Sequence, residues 1–159
     1  MPPDDIAKAH RWFAVECNNR AWDLIAKPAR TPAEVREMLL AAHAAAYHWS
    51  HAGTPLNAMR ADIVLAHVHA LLGHGAKARQ FAEASLRNCE SSPCEDWDVA
   101  FAYLEMALAA WAAGDAMGHR NYYELATSQC AAIKDDEDRK VFQAELLRID
   151  APSAWNTER

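Results

Sequence analysis

The sequence predicts an all-α fold of about seven helices arranged as antiparallel pairs, and three observations carry that prediction. Hydrophobic residues make up 52% of the 159 positions, and alanine supplies an unusual share of them. Alanine is the best helix former, and its small side chain lets two helices approach closely. Five glycines and seven prolines leave long stretches without a backbone breaker. No segment alternates polar and apolar residues as a strand would, and no Asn-Gly hairpin signal occurs.

The first helix is expected from about Asp4 to Ala26, capped by Asp4 or Asp5, with Ile6, Phe13, Cys17, Ala21 and Leu24 at helical spacing. Thr31-Pro32-Ala33-Glu34 starts the second: threonine as N-cap, proline in the first turn, glutamate at the third position. That helix carries Met38, Leu39, Ala42, Ala46 and Trp49 on one face and ends near Gly53. Thr54-Pro55 repeats the start signal. The third helix has two apolar stripes, Leu56, Met59, Ile63, Ala66 and Ala70 on one side and Val64, Val68, Leu71 and Leu72 on the other. A helix apolar on two sides belongs between neighbours.

A fourth helix is expected from about Ala76 to Cys89. The fifth is the clearest, with Trp97, Phe101, Leu104, Leu108 and Trp111 stepping by four and three. The sixth runs from about Ala116 to Ile133. The charged Lys134–Asp138 segment then reads as a hydrated loop before a capping helix over 137–150, and 151–159 is a tail containing Trp155. The whole chain reads as one domain: an N-terminal helix pair over 4–52, two further pairs over 54–133, then the cap and tail.

Two segments share a plan, each a helix ending in glycine, a short turn and a second helix. The turns are Leu72-Gly73-His74 and Ala113-Gly114-Asp115. Ala66 and Ala107 lie seven before the glycines, with Leu65 and Met106 one earlier; Ala78, Ala82 and Ser85 follow the first glycine, and His119, Tyr123 and Ala126 the second. In these residues the chain resembles the tetratricopeptide repeat, convincingly over about 60–133. His119 departs from the pattern, which wants a small residue there, so the second copy should pack more loosely or shift register. The resemblance implies a right-handed superhelical array with a concave groove lined by the first helix of each pair. It also implies a non-enzymatic module that binds a peptide or protein.

Counting from the glycines under that resemblance, the groove residues are Arg60, Ile63, His67 and Ala70, then Phe101, Leu104, Leu108 and Trp111. This makes a cationic end beside an apolar end, suited to an amphipathic peptide whose carboxylate Arg60 would grip. The competing expectation is that the Phe101–Trp111 row is covered, by the seventh helix, by the Trp155 tail or by a second copy in a homodimer. A second candidate is a small-molecule or metal-binding pocket of His43, Tyr47, His51 and Asn57, with His67 alongside. No His-Glu-x-x-His, Glu-x-x-His or Cys/His cluster supports a metal there, and no metal or cofactor is expected.

Templates for nucleophilic catalysis and for dinucleotide or phosphate binding are missing, so no catalytic residue is assigned. A net charge of −6 repels phosphate backbones, which disfavours nucleic acid as a partner. No apolar run approaches a membrane span, and Met-Pro-Pro-Asp-Asp-Ile lacks the basic start of a signal peptide, so the cytoplasm is expected. Cys17, Cys89, Cys94 and Cys130 read as free thiols.

Overall fold

The computed structural model describes the backbone of residues 3–149 and side chains from residue 5 onward. Seven helices follow one another: α1 (Pro3–Ile25), α2 (Pro32–Ala52), α3 (Pro55–Leu71), α4 (Gly75–Ser91), α5 (Asp96–Ala112), α6 (Ala116–Cys130) and α7 (Asp136–Ile149). No strand occurs among the described residues. None of these helices is long and apolar enough to cross a membrane. The expected tail with Trp155 lies outside the described residues.

The starts and stops are made locally. Thr31 caps α2 reciprocally with Glu34: the Glu34 N–H donates to the threonine hydroxyl at 3.2 Å, and the Thr31 N–H to the Glu34 carboxylate at 2.8 Å. Thr54 and Asn57 repeat the arrangement at α3. Helices α3 and α5 both end on a left-handed glycine, Gly73 at φ 75° and Gly114 at φ 77°. At each, the N–H of the glycine and that of the next residue turn back onto the last turn: Gly73 to Ala70 and His74 to His69, Gly114 to Trp111 and Asp115 to Ala110. An L side chain is strained at such φ, which is why glycine recurs there.

Lys134–Asp138 is not a loop throughout, as expected from sequence. Asp135 accepts from the N–H groups of Glu137 and Asp138, and Asp136, Glu137 and Asp138 form the first turn of α7. Their charge suits the positive end of the helix dipole.

Neighbouring helices pack in a consecutive array. His10 meets His48, Arg20 meets Glu37 and Lys27 meets Glu34, so the start of α1 lies beside the end of α2 and the pair is antiparallel. Between α3 and α5, Arg60 pairs with Asp98 and His67 with Glu105, each 38 positions apart, so these two helices run parallel. The odd-numbered helices touch directly, α1 on α3, α3 on α5 and α5 on α7, and α2, α4 and α6 each bridge the two that flank them.

Two clusters of buried side chains fill the array. Val64, Leu65 and Val68 of α3 join Leu24, Ile25 and Met38 beneath the first pair, whereas Met59, Ile63, Ala66 and Ala70 face the cluster of α4 to α7. The two-stripe reading of α3 is thus realised as a helix between two cores. Backbones approach most closely where residues are smallest. A side chain on Gly75 would lie 2.6 Å from the backbone N of Ala113, so the start of α4 rests on the end of α5. Ala78, Ala82 and Ala107 are fully buried. His119 is accommodated by donating from Nδ1 to the carbonyl of Ala107 at 2.9 Å, so its ring holds the crossing instead of loosening it.

Candidate functional site

A cleft of about 510 Å³ opens between the odd-numbered helices. Helix α1 contributes Asn18 and Trp22, α2 contributes Trp49, and α3 contributes Asn57, Arg60, Ile63 and Val64. Trp97 and Phe101 come from α5, and Asp138, Val141 and Glu145 from α7. The three indoles are half-buried, each with part of its surface left to the cleft. Phe101 ties the walls together: its ring meets Trp22 at 6.3 Å, Trp97 at 6.1 Å and Phe142 at 5.0 Å between centroids. Edge-on contacts of this kind hold aromatic rings in place.

Two ion pairs fasten α3 to α5 along this face. Arg60 reaches Asp98 with both prongs, Nε at 2.9 Å and Nη2 at 3.0 Å, and its guanidinium lies 4.3 Å over the Trp97 ring. Asp98 is 0% exposed and also accepts from the Glu95 N–H, which closes the start of α5. Two turns further on, His67 Nδ1 contacts Glu105 at 2.9 Å, both side chains buried. Burial alone would push the His67 pKa down, but the Glu105 carboxylate overrides this and holds it above its ordinary value. Burial pushes Glu105 up, and His67 pulls it back. The pair therefore keeps a proton between the imidazole and the carboxylate, and Glu105 Oε2 is buried without a hydrogen-bond partner among the described residues.

Arg60 and Phe101 thus belong to the cleft, and His67 lies behind it against Trp22, 5.4 Å between ring centroids. Leu104 is 0% and Leu108 2% exposed: they are core, not an open groove. Helix α5 is contacted by α3, α4, α6 and α7, which leaves little of its surface free. Trp111 is half-buried beside His119 at the far end of α5, away from the other candidates. The expected grip of Arg60 on a ligand carboxylate is pre-empted by Asp98.

The alternative pocket does not form as one site. Asn57 caps α3 and lines the cleft. Tyr47 and His51 instead gather with His10 and His48 across α1 and α2, where His10 Nδ1 lies 2.8 Å from His48 Nδ1. His43 turns to α3, with His69 at 3.2 Å, and His69 in turn meets His74 at 3.2 Å. No group of three or more His, Cys, Asp or Glu among the described residues is placed to hold a metal ion.

These neighbouring imidazoles carry a pH dependence. Burial, with His43 and His74 adding repulsion, pushes His69 down to about 4. The unfolded chain then binds a proton at a pH where the folded one does not, so the contribution of His69 is complete above about pH 6.5 and is lost as the pH falls towards 4. Asp62 works in the opposite sense, since burial lifts it to about 6. Comparing wild type with His69→Gln at each pH isolates the histidine. In urea unfolding, the wild type is expected to lose more stability relative to the variant between pH 7.5 and 4.5, and parallel profiles would contradict the assignment.

Sequence reasoning missed Asp98 and Glu105 as partners, and Trp22, Trp49, Asp138 and Glu145 as cleft residues. A signal existed for the first two: Asp98 and Glu105 are seven apart in the most apolar helix of the chain, where lone carboxylates need partners. Comparison with protein-family models, with curated proteins and with solved structures gives no match.

Proposed function

We propose that the protein is a non-enzymatic interaction module of tetratricopeptide type, cytoplasmic, that holds a segment of a partner protein in the cleft between α1, α3, α5 and α7. The observation that carries this reading is the cluster of half-buried indoles, Trp22, Trp49 and Trp97, on rigid helices around one open cleft. Tryptophan exposed in a concave, preformed surface is the residue type that most often dominates binding energy. The polar groups among the lining residues include the amide of Asn18 and the amide NH2 of Asn57, whose oxygen is engaged in the α3 cap, and these can pair with a peptide backbone. The buried carboxylates are paired across helices, which suits them to fastening the array and not to chemistry.

Selection from a displayed random peptide library tests the reading. Peptides selected on the wild type are expected to bind the Trp22→Ala, Trp97→Ala double variant about thirtyfold more weakly or worse. Absence of enrichment, or enrichment indifferent to the two tryptophans, would overturn it.

A further inference from the structure

The charges around the cleft decide which side chain it can hold. Arg60 is the cation on its wall, yet both prongs of its guanidinium are committed to buried Asp98, so the pair adds no net charge. An incoming carboxylate would meet the remaining guanidinium N–H groups beside the buried carboxylate of Asp98, which already neutralises their charge and so disfavours an anionic ligand. Glu145 is paired with Arg148 at 3.1 Å along one face of α7. Asp138, exposed in the first turn of the same helix, has no ion-pair partner among the described residues. The positive ends of α5 and α7 are offset by their own acidic first turns, Asp96 and Asp98 in one, Asp136 to Asp138 in the other. The rim is therefore net negative.

The walls are indoles, and one of them already carries a cation. The guanidinium of Arg60 over Trp97 places a positive group on the negative face of a ring, the arrangement that attracts cations to aromatic surfaces. Helices α1 and α2 bring two further indoles, Trp22 and Trp49, into the same cleft. A long side chain with an apolar stem and a charged head matches such a surface: the stem lies on the rings and the head stays at the acidic rim.

Resting on the reading of the cleft as a peptide site, we infer that the segment it holds carries a lysine or arginine side chain, stem against Trp22 and Trp49, head towards Asp138. The specificity is thus for a basic segment, the reverse of the carboxylate grip that Arg60 alone implies.

The test uses three small probes on the whole chain: N-acetyl-lysine methylamide, its neutral counterpart N-acetyl-norleucine methylamide, and N-acetyl-glutamate methylamide. The indole N–H resonances of Trp22, Trp49 and Trp97 report binding, assigned by single Trp→Phe variants. The lysine probe is expected to shift these three at about fivefold lower concentration than the norleucine probe, and the glutamate probe to act last. Asp138→Asn, a conservative change on α7, should reduce the lysine advantage to about twofold or less. Equal action of lysine and norleucine probes, a preference for glutamate, or no shift by the lysine probe each overturns the inference. The library selection judges the site itself independently. Enrichment of neutral or acidic peptides there would leave a peptide site with the ligand class wrong, whereas no enrichment removes the site.

Discussion

Glu105→Ala is expected to cost about 3–5 kcal/mol of folding stability, the scale on which a buried ion pair responds to losing one partner. The reason lies in His67. It is raised above its ordinary pKa chiefly by the Glu105 carboxylate, with a smaller contribution from Glu145, against the opposing pull of burial, so without Glu105 it loses the main support for its proton in the core. The change also leaves a cavity between α3 and α5. Replacing both members together should be far milder. His67→Leu with Glu105→Leu removes the desolvation cost along with the attraction, and is expected to fall within about 2 kcal/mol of wild type. Urea unfolding of the two variants decides the matter. Near-equal losses for single and double replacement would mean that packing volume, and not charge compensation, governs this position.

Phe142→Ala should be comparably severe, about 3–5 kcal/mol, because the side chain is 0% exposed and fills the seam between α7 and α5. The consequence reaches the cleft. Phe142 meets Phe101, which in turn meets Trp22 and Trp97, so the ring that spaces the walls loses its support from behind. Helix α7 carries Asp138, Val141 and Glu145 into the cleft, and its hold on α5 depends on Phe142, Leu146 and Ile149. Chemical denaturation should therefore show the loss, and tryptophan fluorescence of the folded variant should shift to the red as the indoles gain water. A stability loss below about 1 kcal/mol would show α7 to be an appendage and not the fourth wall of the site.

Much of the fold was legible because its determinants are local. The threonine–proline starts at Thr31 and Thr54 write their capping geometry within four residues, and Gly73 and Gly114 write the left-handed exits of α3 and α5. The double stripe on α3 announced a helix with a core on either side. The helix expected over 137–150 matches α7, but Asp136 to Asp138 were read as part of a hydrated loop because acidic residues suit a loop and a first turn equally; the hydrogen bonds to Asp135 distinguish them.

The cleft was legible in part. Gly73 and Gly114 stand 41 positions apart, whereas side chains facing each other between α3 and α5 are 38 apart. That difference of nearly one turn is a property of how two helices lie together, and nothing within either helix encodes it. Arg60 was therefore identified as a cleft residue but read as a free cation, with Asp98 unseen. Leu104 and Leu108 were assigned to the groove because a helix considered alone has a free face, while α5 is enclosed by four neighbours. Trp22 and Trp49 sit on apolar stripes that fit core packing equally well. Their part in the cleft follows from where α1 and α2 stop relative to α3.

The footprint of a selected peptide on the chain tests the central claim most directly. Titrated into labelled protein, such a peptide is expected to move the indole N–H signals of Trp22, Trp49 and Trp97 and the side-chain amides of Asn18 and Asn57, leaving Trp12 unmoved on the exposed face of α1. Movement confined to Trp12 and its neighbours Phe13 and Val15, with the three cleft indoles unchanged, would place the binding surface on the outer face of α1 and contradict the account.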